Sequence, residues 1–238
     1  MLILAIDTCD ARGSVCLLNA DGATHIEVHE SAEDYSTWFL PAIDRVLAAG
    51  GRRLADITLY AATAGPGSFT GIRVALTTVK AWNEIFHRPI AAVSRLEAMA
   101  SLAGQKANYT VACTDAGRGQ VYGTVFRRDG DRLARLGDEA VFAPGELIQS
   151  AAELAGDGKV GWVALDATSL TNDPGWQARA ALGEVVELIS PILAPAVAGL
   201  AQRMVGENRL TDALALDANY IRRPDAEVKW KGYSKPVV

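Results

Sequence analysis

Hydrophobic and polar positions recur along the chain in a plan that is laid down twice. "LILAIDTC" (2–9) and "GSVCLLNA" (13–20) are apolar runs a turn apart, and "ATHIEVH" (23–29) alternates apolar and polar residues. This pattern predicts a three-strand meander. In "YSTWFLPAIDRVLAAGG" (35–51), Tyr35, Trp38, Phe39, Ala42, Ile43, Val46 and Leu47 form one helical stripe, and Gly50–Gly51 stops it. Pro41 sits awkwardly inside, so the helix starts just before it or kinks there. A strand at 57–64, a helix at 68–86, a strand at 89–94 and a short helix at 95–104 follow.

The second half repeats the order. Strands are predicted at 109–117, 119–130 and 132–142, then a helix at 144–155 and a strand at 161–168. An irregular segment, a strand at 185–190 and a helix at 193–208 complete it. "AIDTCDARGSVCLLNADG" is echoed by "ACTDAGRGQVYGTVFRRDG". The expected fold class is therefore α/β: two lobes with mixed sheets flanked by helices, duplicated in the manner of the actin, Hsp70 and sugar-kinase (ASKHA) group. The expected division is 1–104 for the first lobe, 105–216 for a second, degenerate lobe and 217–238 for a C-terminal tail. Helix 193–208 is a candidate to pack back on the first lobe.

Composition narrows the function classes. The chain has 238 residues, half of them hydrophobic, enough for a sizeable core. No apolar run reaches the roughly 18 residues a membrane span needs. The short N-terminal run meets Asp7 early and reads as a first strand, not a signal peptide. Cys9, Cys16 and Cys113 lack metal-type pairing and suggest buried thiols in a reduced, cytoplasmic setting. The net charge of −5 speaks against strong nucleic-acid binding by this chain alone. The basic tail residues Arg222, Arg223, Lys229, Lys231 and Lys235 are candidates for tRNA contact or a solvated segment.

Candidate chemistry is sparse. An actin-like ATPase needs a glycine-rich phosphate loop in each first hairpin and aspartates that position Mg²⁺. Here the turns are "DTCDARGS" and "DAGRGQ", with Arg12 and Arg118 intruding. Asp7 and Asp115 remain as candidate cofactor-positioning groups, or as acceptors of turn N–H groups. "AGPGSFTG" (64–71) lacks the lysine of a P-loop. Pro66–Gly67 instead signals a turn and Ser68 a helix N-cap. His25 and His29 lie on a strand, about 13 Å apart, too far to share an ion. They read as a solvated strand face, and His87 as the end of its helix.

The helix at 68–86 carries two apolar faces. Phe69, Ile72, Ala75, Leu76, Val79, Trp82 and Phe86 form one, and Val74, Ala81 and Ile85, with Thr78 beside them, lie roughly opposite. One face meets the sheet. The other meets the 35–51 helix, another chain, or the helix's own domain.

"ILAIDT" (3–8), "FLPAIDRVL" (39–47), "GPGSFTGIRVAL" (65–76), "PIAAVSRLEAMA" (89–100) and "DAGRGQVYGTVF" (115–126) together resemble the TsaB (YeaZ) family. The match is fullest in the first half. Members are the catalytically silent paralogues of TsaD in bacterial tRNA threonylcarbamoyladenosine synthesis. The resemblance implies a scaffold that pairs with TsaD through helices 35–50 and 68–86. The implied partner-binding residues are Trp38, Leu40, Ile43, Leu47, Arg73, Val74, Thr78, Ala81 and Ile85. It further implies TsaE as a partner, TsaC and tRNA as indirect ones, and self-pairing of the isolated chain. TsaD holds a metal with an H-x-x-x-H pair, and Arg95 and Met99 stand at those positions here. No catalytic residue, metal or resident cofactor is therefore implied, with ATP or ADP only at a shared interface. Tyr35 stands where many relatives have a histidine. The alternative is an ATP-dependent phosphotransferase of the sugar-kinase type. A metallopeptidase lacks ligands.

Overall fold

The computed structural model describes residues 1–30, 34–104, 107–130 and 132–221. The basic tail positions from Arg222 onward lie outside the described residues. In the first half the strands are β1 (Ile3–Asp7), β2 (Ser14–Leu18), β3 (Thr24–Val28), β4 (Leu59–Thr63) and β5 (Ile90–Val93). Its helices are α1 (Tyr35–Ala49), α2 (Phe69–Phe86) and α3 (Arg95–Ser101). In the second half the strands are β6 (Tyr109–Gly117), β7 (Gln120–Asp129), β8 (Arg132–Phe142), β9 (Val160–Ala164) and β10 (Val186–Leu188). Its helices are α4 (Pro144–Ala155), α5 (Thr168–Thr171), α6 (Trp176–Ala181) and α7 (Ala194–Gly206).

The two sheets have the same build. Their strand orders are β3-β2-β1-β4-β5 and β8-β7-β6-β9-β10. In each, the meander is antiparallel and the last two strands run parallel to the first. The expected duplicated α/β plan is the observed one.

Strand β1 is buried along its whole length because both faces are covered. Leu4 and Ile6 face α1 and α2, together with Leu17, Tyr60 and Ala62. Ile3 and Ala5 face the other way, toward α3 and α7. Those two helices are exchanged between the lobes. α3 follows the first sheet but packs on β6, while α7 ends the second lobe and packs on β1 and β2. The order of layers is α1/α2, first sheet, α3/α7, second sheet, α4/α5/α6.

Pro41 lies inside α1, which nonetheless begins at Tyr35. The proline is on the exposed side, where water can serve the carbonyl that it leaves unpaired. Ser68 caps α2, its Oγ accepting from Gly71 N at 3.3 Å. His87, at φ 51°, closes the helix with its N–H on Asn83 O. The glycines before and within α2 permit contact. A Cβ on Gly71 would lie 1.8 Å from the Thr8 carbonyl, and one on Gly67 2.4 Å from that of Cys9. The loop closes on β1 through Ser68 N to Cys9 O and Thr8 Oγ1 to Gly71 O.

After α7 the chain runs back along the first lobe. Thr211 bridges the edge strand at Ile90, and Ala213 N donates to Asn83 Oδ1. Leu216 is buried in the first core, and Asn219 N donates to Ala64 O at 2.7 Å.

Candidate functional site

Two regions concentrate the residues singled out by sequence: the outer face of α1 and α2, and the cleft between the lobes. On α2, Val74, Thr78, Ala81 and Ile85 follow at helical spacing and share one stripe. Val74 and Thr78 are half-buried, Ala81 is exposed and Ile85 is 65% exposed. On α1, Leu40 is 57% exposed. Arg73 is held in place, its guanidinium 3.8 Å over the Phe69 ring and its Nε donating to the Tyr220 hydroxyl at 3.1 Å. These six lie on the outside of the helical layer.

Trp38, Ile43 and Leu47 do not. All three are buried in the core between α1 and the sheet. Their expected partner-facing role is corrected by the helix geometry. They belong to the stripe of Phe39, Ala42 and Val46, and that stripe has to meet the sheet.

The cleft, about 510 Å³, opens where the β1–β2 and β6–β7 turns face each other. Cys9, Asp10, Tyr35, Ser68, Arg95 and Asp115 are among its lining. Asp7 and Asp115 both accept a turn N–H two residues on, from Cys9 N at 3.2 Å and Gly117 N at 3.0 Å. Asp7 also accepts from Thr63 Oγ1 at 2.8 Å. Asp7 is fully buried and Asp115 exposed, so the two halves of the expected pair sit in unlike surroundings.

Behind the cleft lies an arginine whose environment the sequence did not disclose. Arg95, the first residue of α3, is 2% exposed. Its Nη2 donates to Asp10 Oδ2 at 2.9 Å and its Nε is 3.9 Å from Asp7 Oδ2. Burial works to raise the Asp10 pKa, but the Arg95 guanidinium outweighs it and holds the carboxyl below its ordinary range. The signal was its spacing, since Arg95 is four residues before Met99 and shares that buried helical face.

His29 also departs from expectation. It is buried, not a solvated strand residue, because the chain leaves the sheet after Val28 and turns its ring inward. The ring stacks on Tyr35 at 4.1 Å and Nδ1 lies 2.8 Å from the Ala11 carbonyl. Tyr35 Oη donates to Asp10 O, and Gly13 leaves room for that hydroxyl. The concave side of the first turn is therefore filled by side chains of this chain. The cysteines are buried and unbridged, with the Cys9 thiol pushed well above its ordinary pKa by burial. A second cleft of about 530 Å³ beside β9 holds Arg179 and Glu184 already paired to each other.

The family model for TsaD, a tRNA N6-adenosine threonylcarbamoyltransferase, matches residues 27–230. The tRNA threonylcarbamoyladenosine biosynthesis protein TsaB of Escherichia coli (strain K12) is 30% identical over 240 residues, covering 97% of each chain. The chain belongs to the TsaB family. Its likeness to the TsaB of Haemophilus influenzae is 36% over 125 residues, 51% of this chain and 52% of that one. Among solved structures, a Pseudomonas aeruginosa protein described as similar to peptidase YeaZ superposes with a TM-score of 0.78 at 24% identity, covering 93% of this chain and 99% of that one. The TsaB-family chain thus has that structure's fold, here with two sheets of the same strand order. Among the described residues no helix is long and apolar enough to cross a membrane.

Proposed function

We propose that this chain is a non-catalytic scaffold subunit in the formation of threonylcarbamoyladenosine on tRNA, and that it docks on a TsaD-type transferase through α1 and α2. The observation that carries the reading is the outward-facing stripe on α2, half-buried at Val74 and Thr78 and exposed at Ala81 and Ile85, together with the exposed Leu40 on α1. A helix packed on its own sheet needs one apolar face, and a second, edged by small residues, suits close helix–helix approach. The E. coli relative's name and the TsaD family model support the pathway. In this reading the transferase supplies the chemistry, TsaC the activated group and TsaE a further subunit. The phosphotransferase alternative needs Asp7 free to position a cation, and Arg95 lies against it.

The test is co-purification of the full chain with the TsaD-type protein of the same organism. Ala81→Arg places a charge in the middle of the stripe and is expected to abolish association while the circular dichroism spectrum stays unchanged. Unaltered co-purification overturns the docking surface. Self-association of the free chain, lost in the same variant, is the companion expectation.

A further inference from the structure

The actin-like fold implies a nucleotide and its divalent cation between the lobes, with a carboxylate from the first strand positioning the cation. The residues present do not fit that group as they stand. We propose that Arg95 is the resident cation of a site built by Asp7 and Asp10, taking the place of a hard divalent ion such as Mg²⁺. Removing Arg95 opens the site to that ion. The inference concerns the cleft alone and stands independently of the docking reading.

One guanidinium serves both carboxylates, at 2.9 Å to Asp10 Oδ2 and 3.9 Å to Asp7 Oδ2. Arg95 is 2% exposed and Asp7 fully buried, so neither charge is shielded by bulk water. A buried charge is costly unless paired, and each of these groups depends on the other. The fit is incomplete. Asp7 Oδ2 and Arg95 Nε are both buried without a hydrogen-bond partner, and 3.9 Å is too long for a hydrogen bond between them. A guanidinium is a flat fork with fixed donor directions, whereas a divalent cation gathers oxygens from any side and completes its shell with water. The single oxygen left over at Asp7, Oδ2, is what a planar substitute for such an ion leaves. Asp10 lines the open cleft and gives a route inward. Cys9 N and Thr63 Oγ1 hold Asp7 Oδ1, and the Tyr35 hydroxyl holds the Asp10 backbone, whichever cation is present.

Arg95 also begins α3, the helix that packs on the second sheet. A cation fixed to that helix links the β1–β2 turn to the lobe interface without any ligand.

The probes are Mn²⁺, followed by electron paramagnetic resonance, and Mg²⁺, followed by thermal melting, with the full chain as wild type, Arg95→Ala, Arg95→Gln and Arg95→Ala/Asp7→Asn. The expected result is one Mn²⁺ bound by Arg95→Ala at least about tenfold more tightly than by wild type, given two acidic oxygen donors. Mg²⁺ raises the melting temperature of Arg95→Ala alone, and the added Asp7→Asn cancels both effects. Methylguanidinium, small enough to refill the cavity, displaces the Mn²⁺. Equal binding by wild type and Arg95→Ala overturns the proposal, as does a folded Arg95→Ala or Arg95→Gln that binds no ion. If neither single variant folds in chelator, recovery of a cooperative melt on adding Mg²⁺ supports the site, and no recovery counts against it.

Discussion

The ring of Tyr35 lies stacked on that of His29, 4.1 Å between centroids, and its hydroxyl reaches the carbonyl of Asp10. Tyr35 is also the first residue of α1. The proposed docking helix and the cleft turn are thereby joined through a single side chain. Burial, and then the nearby Asp7 and Asp10 charges, push the phenol well above its usual range, so it remains a donor at any working pH.

Tyr35→Phe keeps the stack and removes the hydrogen bond. The expected loss of stability is about 1 kcal/mol, read as a lower urea midpoint with unchanged slope. Tyr35→Ala loses the stack as well and is expected to cost about 3 kcal/mol. Equal midpoints for the two variants would show that the ring contributes nothing beyond its hydroxyl.

Gly71→Ala is the severest single change in α2. The added carbon meets the Thr8 carbonyl at 1.8 Å, and both partners are backbone that cannot swing aside. A loss of about 4 kcal/mol or more is expected, enough to leave much of the chain unfolded. Gly199, in α7, faces open space, and Gly199→Ala is expected to be neutral or slightly stabilising. Thermal melts of the pair decide whether the glycines around α2 serve close packing.

Glu139 gives a pH dependence with a definite sign. Its carboxyl is buried between Ser94 Oγ and Asn219 Nδ2, which both donate to it. Burial raises its pKa, and the hydrogen bonds from Ser94 and Asn219 together with the Arg135 charge only partly oppose the rise. A carboxyl whose folded pKa is raised contributes its stability below the unfolded value, near 4.5, and loses it as pH climbs through the folded pKa. Glu139→Gln removes the titration, its amide oxygen accepting from Asn219 Nδ2 and its NH2 donating to the Ser94 hydroxyl, which can turn to accept. The variant's melting temperature relative to wild type should therefore rise from pH 4.5 upward. A difference that is flat with pH would mean that the carboxyl titrates normally.

Leu40→Ser and Ile85→Ser probe the outer face without disturbing the core. Both side chains are more than half exposed, so each change should alter stability by no more than about 0.5 kcal/mol. The same changes are expected to weaken association with the transferase several-fold in a calorimetric titration. A large drop in melting temperature would place these residues inside the fold instead.

Much of this architecture was legible because local rules and tertiary packing agree. α4 occupies 144–155, the span expected of it, and Ser68 caps the helix it was expected to cap. The region after β9 was read as irregular, but it holds α5 and α6, which are too short for a helical period to stand out. Trp38, Ile43 and Leu47 were read as facing a partner because the resemblance extended to their helix as a whole. Only the sheet beneath decides which side of α1 is inside. Arg95 was noted at a histidine position, but its carboxylate pairing was not legible for a different reason. A buried arginine is intelligible only with its carboxylates, and Asp7 and Asp10 are more than eighty residues away in sequence.

The exchange of α3 and α7 sets an order on biosynthesis. The first sheet is synthesised early, yet the helix that covers Ile3 and Ala5 is made after nearly all of the second lobe. Until α7 has left the ribosome, that apolar surface has only water or a chaperone to meet it. A nascent chain halted near residue 150 would expose it, as would a separately expressed 1–104 fragment. The newborn protein is thus most vulnerable to aggregation in the interval between its first strand and its last helix.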